Sequence, residues 1–441
     1  MAEMWKTVVN AFKVKDIRKR LLYTFCILVI IRLGSNLPIP GVNTEYFRQF
    51  FQNQTGDAFN FFNAMTGGSF EQMSVLALSI TPYITAQIIM ELMTIAIPKL
   101  EELQKEGEDG RKKMTEYTRY LTIALSLIES TAMAVGFGNQ GLLIQYGPKS
   151  IIVSIVAMTA GSAFLMWIGE RITENGVGNG ISMVLLFNII SSLPQDLGTL
   201  YSRFMSGKSI AIAVVAAVII AACLLAMVVF VVLLCDAERR IPVQYSAKMQ
   251  GRRTVGNQAS VIPLKVNTAG VIPVIFASTL MSFPVMIAHF FTVDYNTVGG
   301  KILQMLSSSN WFKKEAPIYS IGVVIYIALI ILFAYFYTSI TFNPLEVANN
   351  MKKSAGFIPG IRPGKPTSDY LNKILNYIIF LGATGLVIVA IIPIIVSGIF
   401  NVGHLSFLGN SLIIIVGVVL ETIKMIESQM LVRNYKGFLS D

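Results

Sequence analysis

Ten apolar runs dominate this chain of 441 residues, and each is about as long as a helix needs to be to cross a lipid bilayer. They cover residues 21–37, 74–96, 117–137, 150–169, 180–194, 209–235, 268–292, 317–342, 373–397 and 409–427, the fifth being marginal in length. Only 14% of the residues are charged, whereas soluble domains carry about 25%. The surplus of apolar residues must face lipid, so the sequence predicts an all-α polytopic membrane protein with ten transmembrane helices.

The second span of each half departs from the plain Leu, Ile and Val composition of a lipid-facing helix. The span 74–96 contains Pro82 among Ser74, Ser79, Thr81, Thr85 and Gln87, and the span 268–292 contains Pro273, Pro284, Ser278, Thr279 and Ser282. Paired defects at matching positions in two repeats are typical of the working part of a transport protein. Because each half has five spans, an odd number, the halves 21–200 and 209–430 are expected to be inverted relative to each other.

Basic residues predict which ends of the spans face the cytosol. If the amino terminus is cytosolic, the outer loops hold only seven of the 35 Lys and Arg residues, namely Arg48, Lys149, Arg203, Lys208, Lys301, Lys313 and Lys314. Arg32 lies inside the first span and is expected to snorkel to the interface. This bias predicts a multi-pass membrane protein with both termini cytosolic. Residues 1–20 form a basic, amphipathic segment, and residues 431–441 form a tail.

Residues 59–73, before the second span, are too short and too interrupted by Gly67 and Gly68 to cross the membrane. Non-helical backbone at membrane depth is tolerated where protein buries it or water reaches it. We therefore expect a short helix that turns back into the membrane from outside. The alternative is a surface loop with three exposed phenylalanines.

Two long inner loops, 236–267 and 343–370, carry basic residues together with apolar ones. The first has enough apolar content for a strand or hairpin, and the second has a rigid tip, GFIPGIRPGKP. Two basic protrusions on one face indicate a docking surface for a large partner. The formal net charge of +10 has a second interpretation, which is ordinary positive-inside bias with attraction to anionic lipid.

Motifs for covalent, metal or nucleotide chemistry are missing from the sequence, which has neither HExxH, nor a P-loop, nor GxSxG. We therefore predict no enzymatic activity, no cofactor and no metal site. Four carboxylates fall within spans or at their edges: Glu91, Glu129, Glu170 and Glu421. Each has a functional and a structural interpretation, and the sequence leaves both open.

Eight segments of the chain, in order between about residues 15 and 437, resemble the SecY family, the channel subunits of protein-translocating Sec complexes. They read RLGSNLPIPGV, ITPYITAQIIMEL, KEGEDGRKKMTEYTRY, FLMWIGERITENGVGNGISM, QGRR, PLKVNTAGVIPVIFAS, FNPLEVANNMKKSAGFIPGIRPG and TSDYL. The resemblance implies an hourglass channel between the two halves. It also implies a function, the conduction of unfolded secretory polypeptides and the lateral release of signal sequences and transmembrane segments into lipid.

The resemblance implies a ring of apolar side chains at the channel waist. Matching the motifs assigns to it Ile80, Ile84, Ile181, Leu185, Ile275 and Ile414. Two pairs in this set are spaced four residues apart, so each pair lies on one helix face. A narrow apolar constriction can gate by dewetting. The competing interpretation is that these are ordinary lipid-facing or core residues.

The resemblance also implies a plug and a lateral gate. The plug matches residues 59–73 and includes Phe61, Phe62, Asn63, Met65, Gly67 and Gly68. The gate lies between the second and third spans on one side and the seventh and eighth on the other, and includes Pro82, Thr85, Gln87, Ser278, Ser282 and Phe283. Helices with such prolines and polar residues pack imperfectly, so their separation should cost little free energy.

The partners implied by the resemblance are SecE and SecG subunits, the motor ATPase SecA, the ribosome, and signal sequences and precursor or nascent polypeptides. The basic loops would dock SecA and ribosomal RNA through Arg252, Arg253, Arg362, Lys352 and Lys353. An alternative function is an ion-coupled solute transporter with the same five-plus-five inverted plan. A solute transporter has no need of the inner protrusions, so deletion of 356–364 would leave it active. In a protein channel the same deletion would abolish motor-driven export.

Overall fold

A computed structural model describes residues 12–53, 63, 65–138, 141–207, 209–245, 248–250, 253–255, 259–288, 297–312, 317–400 and 410–437. Its helices are α1 (Lys15–Ser35), α2 (Thr44–Asn53), α3 (Thr81–Ala96), α4 (Pro98–Lys105), α5 (Glu108–Gly136), α6 (Pro148–Asn175), α7 (Gly180–Phe204), α8 (Ile210–Asp236), α9 (Ile272–Ala288), α10 (Val298–Leu306), α11 (Ile321–Thr341), α12 (Pro344–Lys353), α13 (Lys365–Phe400) and α14 (Asn410–Gly437). Short strands are β1 (Glu238–Tyr245), β2 (Lys248–Gln250), β3 (Arg253–Val255), β4 (Ala259–Lys265) and β5 (Gly356–Phe357).

Each of the ten predicted spans contains one helix, in the order α1, α3, α5, α6, α7, α8, α9, α11, α13 and α14. Within the described residues, four helical stretches are continuous, long and apolar enough to cross a membrane alone: Pro148–Asn175, Ala211–Asp236, Pro317–Lys353 and Lys365–Val396. A fifth candidate joins Thr81–Ala96 to Pro98–Gln104 across a bend of 109°. The fifth and seventh spans contribute shorter apolar helices, Gly180–Pro194 and Ile272–Val285.

The two broken spans start as turns and become helical only at their prolines. Residues 74–80 form successive turns, and Pro82 is the second residue of α3 rather than the middle of a longer helix. Residues 266–271 likewise precede α9, in which Pro273 is the second residue. Proline is tolerated in the first turn of a helix because the N–H that it lacks has no partner within the helix there. Each proline therefore marks a helix start inside its span.

Two large apolar clusters hold the helices together. One cluster lies within the second half and joins α8, α9, α11, α13 and α14. The other joins α1, α3, α6 and α7 of the first half to α9 and α14 of the second. The outward faces stay apolar; α8 in particular exposes Val214, Val218 and Leu225 over most of its length. An exposed apolar surface of this kind fits lipid as the surrounding solvent.

The two long inner loops form one folded body. β1 pairs antiparallel with β4, which confirms the strand or hairpin predicted in 236–267, and β1 also pairs with β5 of the other loop, so the sheet order is β4-β1-β5. Beneath the sheet, Ile241 and Val243 pack with Met351 and Ile358. The protrusions that the sequence suggested as separate loops are therefore joined by backbone pairing and by a shared core.

Candidate functional site: an apolar constriction and a buried plug segment

The six residues predicted to line a ring lie together in the structure. Ile80, Leu185, Ile275 and Ile414 are 1%, 5%, 8% and 1% exposed and belong to one buried cluster. Ile84 and Ile181 pack against the edge of that cluster. These side chains come from α7 and the second span in one half and from α9 and α14 in the other. The arrangement is an apolar closure at the meeting point of the two halves.

The start of α7 is built so that Ile181 and Leu185 face this closure. The Asn179 side chain caps the helix by accepting hydrogen bonds from the backbone N–H groups of Ile181, at 3.1 Å, and Ser182, at 3.3 Å. A Cβ atom on Gly180 would lie 1.9 Å from the carbonyl oxygen of Gly169 in α6. Glycine is therefore required for the close contact between α6 and α7 that sets the direction of α7.

Residues 63, 65 and 66 are helical, and residues 67–80 run without regular helix through a buried environment. Met65 belongs to the same cluster as the ring residues, and Phe70, Met73 and Leu78 belong to a neighbouring cluster. The described part of the predicted plug, Asn63 and 65–73, therefore lies inside the protein, as expected for non-helical backbone at membrane depth. Phe61 and Phe62 lie outside the described residues, and so do the remaining positions of 59–62 and residue 64.

Glycines allow the plug segment to reverse direction. Gly67 and Gly68 have φ values of +65° and +82°, in the left-handed region that residues with a Cβ rarely adopt. Asn63 closes the turn, because its Oδ1 accepts the backbone N–H of Glu71 at 3.2 Å and its Nδ2 donates to Glu71 Oε2 at 3.3 Å. Arg48 of α2 donates to the other oxygen of Glu71 at 3.4 Å. The segment is thus a folded unit that is attached to α2 by a hydrogen bond.

The backbone of the plug segment is contacted by three residues of α1 and α7. Sequence reasoning did not assign these residues to the plug. Arg32 Nη1 donates to the carbonyl oxygen of Gly67 at 2.7 Å, a contact with protein that the expectation of snorkelling did not include. Asn188 Nδ2 donates to the Met65 carbonyl at 3.0 Å, and Ser191 Oγ lies 3.4 Å from the Gly67 carbonyl. The available signal was chemical: an arginine and an asparagine inside spans are functional candidates by default.

The predicted gate residues occupy two helix pairs. α3 packs on α5 and α9 packs on α11, whereas the described residues of one pair make few close contacts with the other pair. Ser278 is buried and hydrogen-bonded to the Tyr326 hydroxyl at 3.0 Å, which joins α9 to α11. Thr85 and Gln87 bond within α3, to the Thr81 carbonyl and to Glu91. Pro82 is buried, Ser282 is half-buried and Phe283 is exposed on α9.

The predicted docking residues lie on the joined loops. Lys352 and Lys353 are exposed at the carboxyl end of α12, and Arg362 is exposed at the tip that follows β5. Arg253 begins β3 of the small β2–β3 hairpin, and Arg252 lies outside the described residues. Because β5 pairs with β1, the loop that carries Lys352, Lys353 and Arg362 is joined to the strands β1 and β4 of the other loop.

The carboxylates do not assemble a catalytic or metal site in the described part of the chain, where no group of three or more candidate ligands is found. Glu170 is paired with Arg119 through two hydrogen bonds of 2.8 Å, which connect α6 to α5. This bidentate geometry supports the structural interpretation of Glu170.

Comparisons with known proteins point to one family. The family model described as SecY matches residues 74–423. A relative from Streptomyces galbus named "Protein translocase subunit SecY" is 42% identical over 450 aligned positions, covering 98% of this chain and 98% of the relative. A relative of the same name from Halalkalibacterium halodurans is 41% identical over 442 positions, covering 99% of this chain and all of the relative.

Solved structures share the fold at low sequence identity. One, described as "The structure of a protein conducting channel", has a TM-score of 0.62 and 18% identity, and the match covers 94% of this chain and 92% of that one. Another, described as "Sec61 in the Canine ribosome-channel complex from the endoplasmic reticulum", has a TM-score of 0.61 and 16% identity with the same coverage. Both descriptions name a channel, and the shared fold agrees with the predicted all-α class.

Proposed function

The chain belongs to the SecY family, and from this premise we propose that it is the pore-forming subunit of a protein translocase. It is a multi-pass membrane protein. In our proposal it conducts unfolded secretory polypeptides across the plasma membrane and releases signal sequences and transmembrane segments sideways into lipid. The family assignment decides against the ion-coupled solute transporter.

One observation carries the proposal: six apolar side chains from both halves meet at one closure, and Met65 of the plug segment packs in the same cluster. A closure made of aliphatic side chains excludes water and ions when nothing occupies it. The same side chains can move apart around a chain of any sequence, because they offer no specific polar contacts. An apolar ring is therefore suited to a cargo whose only constant feature is its backbone.

The physical need for such a channel lies in that backbone. An extended chain in hydrocarbon leaves each N–H and C=O group without a hydrogen-bond partner, at several kcal/mol per group. A water-filled path between the two halves removes this penalty. We propose that the subunit hydrolyses nothing itself and that its partners supply the energy.

Lateral release is supported by the packing of the gate helices. α3 with α5 and α9 with α11 are tightly packed pairs, and contacts between the pairs are sparse. α3 and α9 both start inside their spans, with proline as the second residue, so each is shorter than the span that contains it. The boundary between the pairs is where we place the exit for an apolar signal sequence.

Docking of cytosolic partners is assigned to the joined loops. We propose that SecA and the ribosome contact Arg252, Arg253, Arg362, Lys352 and Lys353, of which Lys352, Lys353 and Arg362 are exposed. A phosphate surface such as ribosomal RNA can be bound by basic tips without reading sequence. In our proposal both termini lie in the cytosol, on the same side of the membrane as these loops. SecE and SecG are proposed as companion subunits in the membrane, with anionic lipid around the basic inner face.

The decisive experiment is site-specific crosslinking from the ring. In reconstituted vesicles, a chain that lacks Cys26, Cys223 and Cys235 and carries Ile275→Cys is supplied with SecA and a precursor stalled by a folded carboxyl-terminal domain. Leu280→Cys on the same helix is the matched control, because Leu280 is 53% exposed on the outer surface of α9. Crosslinks between position 275 and the mature part of the precursor, absent at position 280, are the expected result. Equal absence at both positions, with precursor bound and stalled, would reject polypeptide conduction through this closure.

A further inference from the structure

The plug segment is bound to the fifth span by a buried amide. Asn188 of α7 is 5% exposed, and its Nδ2 donates to both the Met65 carbonyl and the Ser79 hydroxyl, each at 3.0 Å. Met65 lies just before the buried non-helical stretch 67–80, and Ser79 lies near its other end. A single side chain therefore ties both ends of that stretch to one helix.

A charged group binds the beginning of the same stretch. Arg32 of α1 donates from Nη1 to the Gly67 carbonyl at 2.7 Å and lies 3.3 Å from Ser191 Oγ. Ser191 also donates to the Asn188 carbonyl at 2.7 Å, which holds its hydroxyl beside Gly67. Hydrogen bonds with a charged donor are shorter and stronger than those between neutral groups. α1 and α7 thus hold the plug segment from two sides.

The local backbone is shaped for this contact. Gly67 has φ +65°, and a Cβ atom there would lie 2.8 Å from Ser191 Oγ and 3.0 Å from Asn188 Cα. Ser79 is held at φ +51°, a conformation that costs free energy in a residue with a Cβ, and Asn188 donates to its side chain. The segment approaches α7 so closely that a side chain at position 67 would require a shift. This approach brings the carbonyl groups of the segment next to the side-chain donors.

We propose that Asn188, Arg32 and Ser191 form a polar latch that holds the plug segment against the fifth span and sets the threshold at which the channel opens. The inference rests on the proposed function. Displacing the segment must break directional hydrogen bonds in a place with little water, where an unpaired carbonyl or amide is costly. Once water enters, each bond can be exchanged for one to water, so the latch weakens as opening begins. The ring supplies apolar closure, whereas the latch supplies a barrier that falls during opening.

The test compares two neighbouring serines on α7. Ser191→Ala removes a hydroxyl that lies 3.3 Å from Arg32 Nη1 and 3.4 Å from the Gly67 carbonyl oxygen in addition to its bond within α7. Ser192→Ala removes a hydroxyl that bonds, at 2.8 Å, to the Ile189 carbonyl of its own helix. Asn188→Ala and Arg32→Met remove the two donors to the plug segment, and Arg32→Lys keeps a charged donor. Each variant is placed in a full-length chain that lacks the native cysteines and carries Met65→Cys, and the complete complex is reconstituted. The readouts are the rate at which an impermeant maleimide modifies position 65, and export of a precursor with a shortened signal core.

Loss of one latch donor should raise the modification rate about three- to tenfold, as expected for one lost hydrogen bond, and should admit the weakened signal. Ser192→Ala should match the parent chain, and Arg32→Lys should recover most of the barrier. If Asn188→Ala fails to accumulate, Ser191→Ala and Arg32→Met carry the test. Rates and stringency equal to those of the parent in all the accumulating variants, with normal export of the intact precursor, overturn the latch alone. If the parent complex exports no precursor, the proposed function fails and the latch with it.

Discussion

At the residue scale, the closure depends on a few backbone positions that aim its side chains. Asn179 caps α7 so that Ile181 and Leu185 point to the constriction. Pro82 lies in the first turn of α3, two residues after Ile80. Ile80 is therefore held by the turn backbone, and Ile84 is held by the helix. Apolar side chains at these positions are common in any span, and it is their convergence from both halves that distinguishes them.

Ile275→Asn should make the resting channel leak. The amide would be buried among aliphatic groups in the closed state and hydrated in the open state, so the closed state loses about 1–3 kcal/mol relative to the open one. That difference corresponds to about 5- to 150-fold more open channel. Ion efflux from vesicles that contain the reconstituted complex measures it. Ile275→Leu, which keeps the apolar volume, is the control, and unchanged efflux in Ile275→Asn would remove this residue from the seal.

At this scale the family resemblance suggested the ring residues, and helical spacing agreed with that assignment, but neither indicated the partners of their neighbours. Arg32 and Asn188 are visible in the sequence as polar residues inside spans, yet Asn188 meets Met65 and Ser79 across more than a hundred residues of chain. Periodicity within one helix contains no information about such contacts. Only the packing of α1 and α7 around the segment 65–80 reveals which backbone groups these side chains bind.

At the element scale, the ten helices were predictable because each is a continuous apolar run, whereas their starts were not. Hydropathy reports whether a segment tolerates lipid or a protein interior, but it does not report backbone conformation. Residues 74–80 are apolar enough to belong to a span, yet they form turns and are buried by neighbouring elements. α7 likewise continues through Pro194 to Phe204, past its predicted end, into the predicted boundary between the halves.

Gly180→Ala should destabilise the first half by forcing α6 and α7 apart. The added methyl group would lie 1.9 Å from the Gly169 carbonyl oxygen, so the backbones must move, at a cost of about 1–3 kcal/mol. Gly198→Ala is the matched control, because nothing lies within 4 Å of a Cβ atom there. That control should be neutral or slightly stabilising, since alanine favours helix over glycine. Thermal unfolding of the purified complex in detergent compares the two, and equal melting temperatures would contradict the close contact between these helices.

At the scale of the whole molecule, polarity is divided among three environments. Exposed apolar side chains cover the helices that face lipid, buried aliphatic groups close the middle, and basic groups gather on the joined inner loops. The distribution of Lys and Arg predicted the last of these. It did not predict that the two loops share a sheet, because the pairing of β1 with β5 joins positions more than a hundred residues apart.

Arg362→Glu should weaken SecA-driven export while the subunit still inserts into the membrane. Reversal of an exposed charge at the loop tip removes attraction to an acidic or phosphate surface and adds repulsion, and the effect should decrease at higher salt. Lys301→Glu, at an exposed position of α10 in a predicted outer loop, makes the same change in net charge and is the control. Export kinetics at two salt concentrations measure the difference. Equal rates for the two variants would remove Arg362 from the docking surface.

The shared sheet has a mechanical consequence. β4 ends at Lys265, shortly before α9 begins at Ile272, and α12 follows α11 after a connection of two residues, Phe342 and Asn343. Strand pairing and the apolar core beneath the sheet join the connections to α9 and α11 into one rigid unit. We therefore expect a load applied by a partner at the cytosolic tip to be divided between α9 and α11, so that these two helices move together.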